Sequence, residues 1–461
     1  MPLPHESPLK SFWTSSPYQL RNHRTTKDLP QKADVVVIGS GYTGAATAFF
    51  LLEDPEARPS TVILEARETC SGATGRNGGH IKPDPYLNVP RWVEMYGREI
   101  AKRVADFEER QLWNVKKLVD RERIDCHFEL TRAMDVFVEE GESKRAVAAY
   151  QRLKASGFEF SKDLQAILEP KRAERISGVR GALAAFSFTA ASIWSLQLVC
   201  HLLRRCLSWG ANLQTHTPVL AISSAQDEAG FYTIRTSRGS IQAKKIVVAT
   251  NAYTTAILPE FEGKITPMRG VAARIAISNP NTEVPRLNNT YSIRFGPQMY
   301  DYLIPRSDGS IVVGGAKQVA LRNDKYWRSN SNDTELIPGV VEYFDDYMQR
   351  IFHGWEDTDA KVTHIWTGAM GFSEDLLPWV GELPNRPGIF VAAGFTAHGM
   401  TRIYGCAEAL AQLVQGKIEH ISESSAKLPP PMWITEARMN TKPALAREFM
   451  AGDRPEVVVK L

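Results

Sequence analysis

Cysteine is scarce in this chain of 461 residues, which has five: Cys70, Cys126, Cys200, Cys206 and Cys406. The number is odd and no CxxC pair or Cys/His metal spacing joins them, which argues against a disulfide scaffold or a structural zinc, so no metal site is expected. Net charge is slight, +3 at pH 7. No basic block or basic stripe with interleaved aromatics occurs, so neither nucleic acid nor an anionic membrane is an expected partner. Long hydrophobic runs are missing too: the most apolar stretch, residues 181–203, is broken by Ser187, Thr189, Ser192, Gln197 and His201, which argues against a membrane span. The opening MPLPHESPLKSFW has no charged-then-apolar signal sequence. A cytoplasmic protein is the expectation. Val459-Lys460-Leu461 shares only Lys-Leu with the peroxisomal Ser-Lys-Leu address, which leaves the peroxisome as an alternative. Internal repeats and low-complexity segments are absent.

An apolar fraction of 43% and a charged fraction of 23% are those of an ordinary globular protein. The length exceeds what one hydrophobic core supports, so two domains are expected.

The most informative stretch runs over residues 33–80. Val35-Val36-Val37-Ile38 leads into Gly39-Ser40-Gly41-Tyr42-Thr43-Gly44, followed by small and apolar residues through Leu52. That is a strand, a glycine turn and a helix. A second apolar run, Val62-Ile63-Leu64, ends on Glu65, 21 positions after Gly44, close to the spacing of roughly 20 at which a dinucleotide fold places its ribose-binding acid. Gly39 allows the tight turn, Gly41 lets the backbone approach a pyrophosphate and Gly44 lets the helix press on the strand, so phosphate charge meets the helix amino end. The acid at 65 argues for FAD or NAD over a 2′-phosphorylated ribose, and Arg67 nearby does not reverse this.

Residues 1–32 read as an extended arm on the surface, pinned by Phe12, Trp13 and Tyr18. Ile100, Val104, Phe107, Leu112, Val115 and Leu118 recur at helical spacing over 98–122 and form a core-facing stripe. Further along, 133–138 reads as a strand, 143–156 and 195–209 as helices, and 211–219 as a strand returning to the nucleotide domain. Strands follow at 232–236 and 240–243 about an Arg238-Gly239 turn, then at 246–252, ending on a ligand-facing loop. From 265 to 367 strands dominate, including 302–305 and 311–315 joined by Asp308-Gly309, with one helix at 335–351. A strand at 388–394 and a helix at 400–414 close the pattern. The domains expected are the arm, 1–32; a nucleotide domain from 33–97, 195–260 and 366–461; and a second, substrate domain from 98–194 and 261–365.

The opening motif, SGATGRNGG at 71–79, the Val219 strand, YLIP and DGSIVVGGA within 302–316, and GFSEDLLPWVGELPNRPGIFVAAGFTAHGM at 371–400 together resemble the FAD-dependent D-amino acid oxidase superfamily over roughly residues 33 to 416. GRNGG at 75–79 resembles gamma-glutamylputrescine oxidase and its fungal relatives more than glycine or sarcosine oxidase. The resemblance implies an α/β protein, α+β overall: a Rossmann-type FAD-binding domain and a mostly antiparallel substrate sheet roofing the isoalloxazine, with the chain passing between them several times.

It also implies that Gly39, Gly41, Tyr42, Thr43, Gly44, Glu65, Ala66 and Arg67 hold the ADP half of FAD, and that Ser71, Gly72, Ala73, Thr74, Arg76, Asn77, Gly78 and Gly79 run beside the flavin. Val219 meets adenine through its backbone, and Thr250, Asn251, Ala252 and Gly368 complete the cleft. Gly394, Phe395, His398, Gly399, Met400 and Thr401 close over the pyrimidine end.

The implied reaction oxidises a C–N bond of an amine or amino acid: hydride passes to flavin N5, the imine hydrolyses to a carbonyl, and O2 takes the electrons as hydrogen peroxide. Positioning carries most of the catalysis, an apolar pocket favours the neutral amine, and the helix end after His398 faces charge developing on the flavin N1–C2=O edge. His80, His398, Tyr300 and Tyr302 are the candidate catalytic residues, with Trp366 and Trp379 as further candidate pocket walls. Arg306 is expected in solvent.

Two positions depart from the resemblance. Where sarcosine oxidase-like members place a substrate-binding lysine, this chain has Thr401, with Arg402 next to it. Where they place an oxygen-assisting lysine, an ungapped match gives Val313, with Lys317 close by. Their flavin-tethering cysteine falls near Gly368, so noncovalent FAD is expected, with His80 as the one other attachment point. The alternatives are a dehydrogenase serving a quinone or flavoprotein, and a redox-idle flavin-binding protein. The identity of the amine and the oligomeric state stay open.

Overall fold

A run of β-branched residues bounded by turns can sit only where both its faces are covered. The computed structural model describes residues 3–441 except 280, 281, 298 and 321; the 459–461 terminus considered as an address lies outside the described residues. Strand Lys32–Ile38 is central to a parallel sheet, flanked by Thr61–Leu64 and Gly239–Val248. Asn212–Gln214 continues the sheet on one side, and Ile389–Ala393 with antiparallel Trp379–Glu382 on the other. Helices Tyr42–Leu52, Ser195–Ser208 and Ile403–Gln415 pack together over one face, and the apolar stripe of Arg98–Glu122 joins the same core. Among the described residues no helix is long and apolar enough to cross a membrane.

The second sheet is nearly all antiparallel, in the order Lys361–Ser373, Ile265–Ala276, Ile311–Gly315, Met299–Pro305, Asn289–Gly296, Glu129–Phe137, Ala184–Ser192, His80–Ile81. Only Asn289–Gly296 and Glu129–Phe137 run parallel. Residues directly opposite share a face. Tyr291, Leu303, Val313 and Ala273 therefore face an apolar core with Tyr347, Phe344 and Phe352. Ser292, Tyr302, Gly314 and Ala272 face the other way, as do Arg294 and Tyr300, and this second face looks toward the parallel sheet's glycine turn. The chain thus forms a mixed α/β fold of two sheets.

Three local expectations change. The strand at 211–219 is two, Asn212–Gln214 and Val219–Ile222, because His216 takes a positive φ of 50° and Pro218 offers no N–H to a ladder. The 335–351 helix is two short ones, Val340–Phe344 and Tyr347–Ile351, broken where Asp345 is extended and Asp346 left-handed, a conformation that short polar side chains tolerate. The strands at 240–243 and 246–252 merge into Gly239–Val248, and Asn251–Ala256 is a 3-10 turn.

The arm is inserted rather than laid on the surface. Trp13 is 1% exposed, its indole N–H donates to Asn77 O at 2.5 Å, Ser11 Oγ donates to Gly75 O at 2.6 Å, and Tyr18 Oη donates to Thr69 O at 2.7 Å. Arg306 is not in solvent: its guanidinium stacks 5.3, 4.9 and 5.1 Å from the rings of Phe12, Trp13 and Trp194, which cover its charge with π faces. Trp13→Ala is expected to cost about 3–5 kcal/mol, the usual cost of emptying an aromatic core site. Trp113→Ala, at a residue 40% exposed, should stay within about 0.5 kcal/mol. Denaturant midpoints of the two variants check this.

Candidate functional site

The glycine turn is set by close approach. Gly39 has φ +108°, and a Cβ there would stand 2.7 Å from Ala249 O; a Cβ on Gly44 would stand 1.9 Å from Gly39 O. No other residue lets the helix Tyr42–Leu52 begin so close to the strand end. Glu65 Oε2 accepts from Ser40 N at 3.0 Å and Ser40 Oγ at 2.6 Å, and Oε1 accepts from Arg67 N at 3.0 Å. The acid therefore sits at the strand end beside the turn. Thr74 Oγ1 accepts the Tyr42 N–H at 3.0 Å.

From this turn a cavity of about 590 Å³ runs to the roofing sheet. At the turn end it is lined by Gly39, Gly41, Tyr42, Thr43, Glu65, Ala66, Arg67, Val219, Thr250, Asn251 and Ala252, and along its length by Ser71, Gly72, Ala73, Thr74, Arg76, Asn77, Gly78 and Gly368. Phe395, His398, Gly399, Met400 and Thr401 line it from the connection between strand Ile389–Ala393 and helix Ile403–Gln415, and His80, Tyr300 and Tyr302 at the roof. A Cβ would meet nothing within 4 Å at Gly72 and only Thr74 Oγ1, at 3.3 Å, at Gly41. Bare backbone thus faces the cavity where a pyrophosphate would lie, at the helix's amino end, where first-turn N–H groups other than that of Tyr42 lack intrahelical partners. Size, glycines and acid all fit a dinucleotide.

Several expected residues lie elsewhere. Gly44 works by packing; Gly79 abuts Ile193 O and Gly394 abuts Ile265 and Trp379, so none of the three lines the cavity. Trp366 is fully buried against Trp13 and donates to Arg76 O at 2.8 Å. Trp379 lies in the core beneath the parallel sheet with Arg438 over its ring at 3.8 Å. Neither tryptophan walls the pocket: Trp366 shares the second face with Ala272 but is covered there by the arm's Trp13, and Trp379 faces the core of the parallel sheet. Val313 likewise points into the apolar core, whereas Lys317, past Gly315 and Ala316 with φ of 142° and 53°, lines the cavity. The Arg76 guanidinium turns away and donates to Ser71 O, Thr367 O and Leu9 O at 2.9, 2.7 and 2.6 Å, with Asp333 beside it.

At the roof, Tyr302 crosses bare backbone: a Cβ on Gly78 or Gly314 would fall 2.3 or 2.0 Å from its ring. His80 Nε2 lies 2.8 Å from Thr290 Oγ1, and the part of its ring left uncovered faces the cavity. Burial, aided by Lys82, pushes the His80 imidazole down to about 3, so it is neutral at physiological pH. Burial also raises the Tyr300 and Tyr302 hydroxyls. Burial alone lowers Lys317 to about 8.

Sequence reasoning missed two buried carboxylates. Glu108, 0% exposed, accepts from His398 Nε2 at 2.7 Å, Arg402 Nε at 2.7 Å and Asp84 N at 2.8 Å. Burial would raise it, but His398 and Arg402 outweigh this and hold it at about 2. Asp135 pairs with Lys82 Nζ at 2.9 Å and Arg294 Nη2 at 3.2 Å and accepts from Tyr86 Oη at 2.9 Å; these cations overcome burial and hold it at about 2. The signal for Glu108 was available: it follows Val104 by four positions on the buried stripe of its helix. Asp135 gave none beyond a charge within an apolar strand.

A glycine-turn dinucleotide cradle closed by a roofing sheet across one cavity is the build of a flavin-dependent oxidoreductase. The chain belongs to the family of FAD-dependent oxidoreductases described as "DAO: FAD dependent oxidoreductase", whose model matches residues 34–413. It is similar to a probable oxidoreductase, OrdL, of Rhizobium meliloti (strain 1021), 25% identical over 395 residues and covering 84% of each chain. It is 23% identical over 408 residues, 86% of each chain, to the gamma-glutamylputrescine oxidoreductase of Escherichia coli (strain K12). Among solved structures, glycine oxidase from Geobacillus kaustophilus superposes with a TM-score of 0.66 at 20% identity, over 88% of this chain and 99% of that one. The cofactor is FAD.

Glu108→Gln leaves Arg402 buried without its counter-charge and is expected to cost about 3–5 kcal/mol. With pH the sign is clear: Glu108, depressed when folded, stabilises above the ordinary carboxylate range and loses this as pH falls through about 4 toward 2. His80, depressed to about 3, refuses a proton that the unfolded chain accepts, so it also costs stability as pH falls below about 6.5. Unfolding midpoints against pH should therefore decline from about 6.5 downward, and His80→Asn should flatten the upper part of that slope.

Proposed function

We propose that the protein is an oxidase of amines or amino acids that breaks a C–N bond and releases the nitrogen by hydrolysis of an imine, with O2 as the electron acceptor. The observation that carries this is one cavity joining the cradle to His80, Tyr300, Tyr302 and the half-buried Lys317. The ADP half would be held by Gly39, Gly41, Thr43 and Glu65, and the ring system would lie along 71–78 beneath Tyr302. Bound FAD supplies a two-electron acceptor. The division expected from the sequence, 33–97, 195–260 and 366–461 to hold cofactor and 98–194 with 261–365 to roof the substrate, is part of this proposal.

The protein's own contribution is environment and placement. Burial beneath a roof where Lys82 and Arg294 share the single carboxylate of Asp135 penalises the ammonium form of an amine and favours the lone pair needed for C–H cleavage. His80, unable to hold a second proton, accepts or donates one hydrogen bond without adding charge. Tyr300 and Tyr302 stay protonated and orient the substrate as donors. The amino end of Ile403–Gln415, with His398 to Met400 in front of it, favours negative charge at the far end of the cavity. Lys317 is the cation placed to favour reduction of oxygen, the role the ungapped match gave to position 313. None of the five cysteines lines the cavity, which supports noncovalent attachment.

An anaerobic screen of polyamines, N-methyl amino acids and D- and L-amino acids is expected to bleach the oxidised flavin with at least one class; no bleaching by any amine contradicts the reading. Lys317→Met is expected to slow reoxidation by O2 about 10²- to 10³-fold and leave the anaerobic step within a few-fold. In the unaltered protein the reoxidation rate should fall as pH rises through about 8. Reoxidation indifferent to Lys317 but fast with a quinone would instead mark a dehydrogenase.

A further inference from the structure

Residues 3–10 carry neither helix nor strand, yet Leu3 and Pro4 line the cofactor cavity. The next residue, His5, accepts from Arg67 Nη1 on its carbonyl oxygen at 2.9 Å. Leu9 donates its N–H to Asp333 O at 2.8 Å, and its own carbonyl accepts from Arg76 Nη2 at 2.6 Å. With the bonds from Ser11 and Trp13 to Gly75 and Asn77, the arm runs alongside the chain between Arg67 and Asn77, which supplies one wall of the cavity. Its grip is uneven. Ser11 is 0% and Trp13 1% exposed, whereas His5, Glu6, Ser7 and Lys10 are exposed. A buried anchor thus carries a lightly held stretch that reaches the cavity at Leu3 and Pro4. Exposed backbone with few bonds is the mark of a segment that opens well below the free energy of global unfolding.

We propose that residues 3–10 belong to the FAD site as a strap, which opens to admit the cofactor and closes over it to retain it without a covalent bond. The inference rests on FAD as the cofactor and is independent of the amine reading. Leu3 and Pro4 offer apolar side chains for a bound dinucleotide to cover. Asp333 holds Leu9 as well as Arg67 and Arg76, so the closed strap ties the wall of the cradle to the 261–365 part of the chain. Closing and binding are reciprocal: whatever factor the strap adds to FAD affinity, FAD adds to the stability of the closed strap.

Two measurements test this. In the first, residues 2–8 are removed, which spares Leu9, Ser11 and Trp13 and leaves Arg67 its bonds to Asp333 and Ser71. Dissociation of FAD from the loaded protein, followed on dilution by the rise of free-flavin fluorescence, is expected to quicken about 10- to 100-fold. Association of FAD with the stripped protein should be unchanged or faster. Unchanged dissociation overturns the proposal. Weaker binding that comes from slower association overturns it too, because the arm would then shape the cradle instead of covering it. The second measurement uses the unaltered chain and so does not depend on how the shortened one folds. A glutamate-specific protease cuts after Glu6, and the product is read by mass. Saturating FAD is expected to slow this cut about 10-fold or more, relative to the cut after Glu283, which is exposed and does not line the cavity. No slowing at Glu6, or equal slowing at both sites, overturns the strap. Neither readout involves an amine: if no amine bleaches the flavin, the strap still stands or falls on these rates, and if FAD is retained equally well without residues 2–8, the amine reading is untouched.

Discussion

A helix can present its amino end to a pyrophosphate only if its first turn presses against the strand that precedes it, and here that approach leaves no room for a single methyl group. The distance from a notional Gly44 Cβ to Gly39 O, 1.9 Å, is the constraint on which the rest depends. It sets the helix axis, brings Glu65 beside the turn, and so decides where a dinucleotide lies. The segment 71–78, the loop after Gly239–Val248 and the connection from strand Ile389–Ala393 to helix Ile403–Gln415 then build the walls of one cavity. The second sheet supplies the roof, and its alternation divides one set of strands into an apolar core face and a face of Asp135, Ser292, Arg294, Tyr300 and Tyr302.

Three buried carboxylates gather the charge along this cavity: Asp333 beside Arg67 and Arg76 at the cradle, and Glu108 and Asp135 toward the roof. Glu108 draws Asp84, His398 and Arg402 together from two distant parts of the chain. Asp135 does the same for Lys82, Tyr86 and Arg294. Isolated, each carboxylate would be too costly to bury. With their cations they lock the loops that carry His80 and His398 to elements on either side of the cavity.

How much of this could be read from the residues follows from how local each feature is. The cradle was legible because strand, turn, helix and acid are contiguous and their spacing is the mechanism. The segment 71–78 and the His398 region were legible by likeness, and both line the cavity. The roof was harder to read. Trp366 and Trp379 sit on strands whose faces depend on register and on what covers them: Trp379 faces a core, and Trp366 lies under the arm's Trp13. Val313 and Gly314 differ by one position and point opposite ways, which is why position 313 failed and Lys317, reached through two residues of positive φ, lines the cavity instead. Glu108, Asp135 and Arg294 depend on pairings across 49 to 294 positions of sequence, which no local pattern encodes. The helix at 335–351 broke at two adjacent aspartates whose backbone conformation the apolar spacing does not report.

The central claim is that the glycine turn, Glu65 and the 71–78 segment together form a cradle for the whole of FAD. Stripping the purified protein of cofactor and titrating it separately with FAD, FMN and NAD tests this directly through flavin fluorescence and calorimetry. Stoichiometric, tight binding of FAD with far weaker binding of FMN and NAD is the result the account predicts, because the proposed cradle would hold the adenosine end by the turn and the acid. Failure to bind FAD, or equal affinity for FMN, would contradict it.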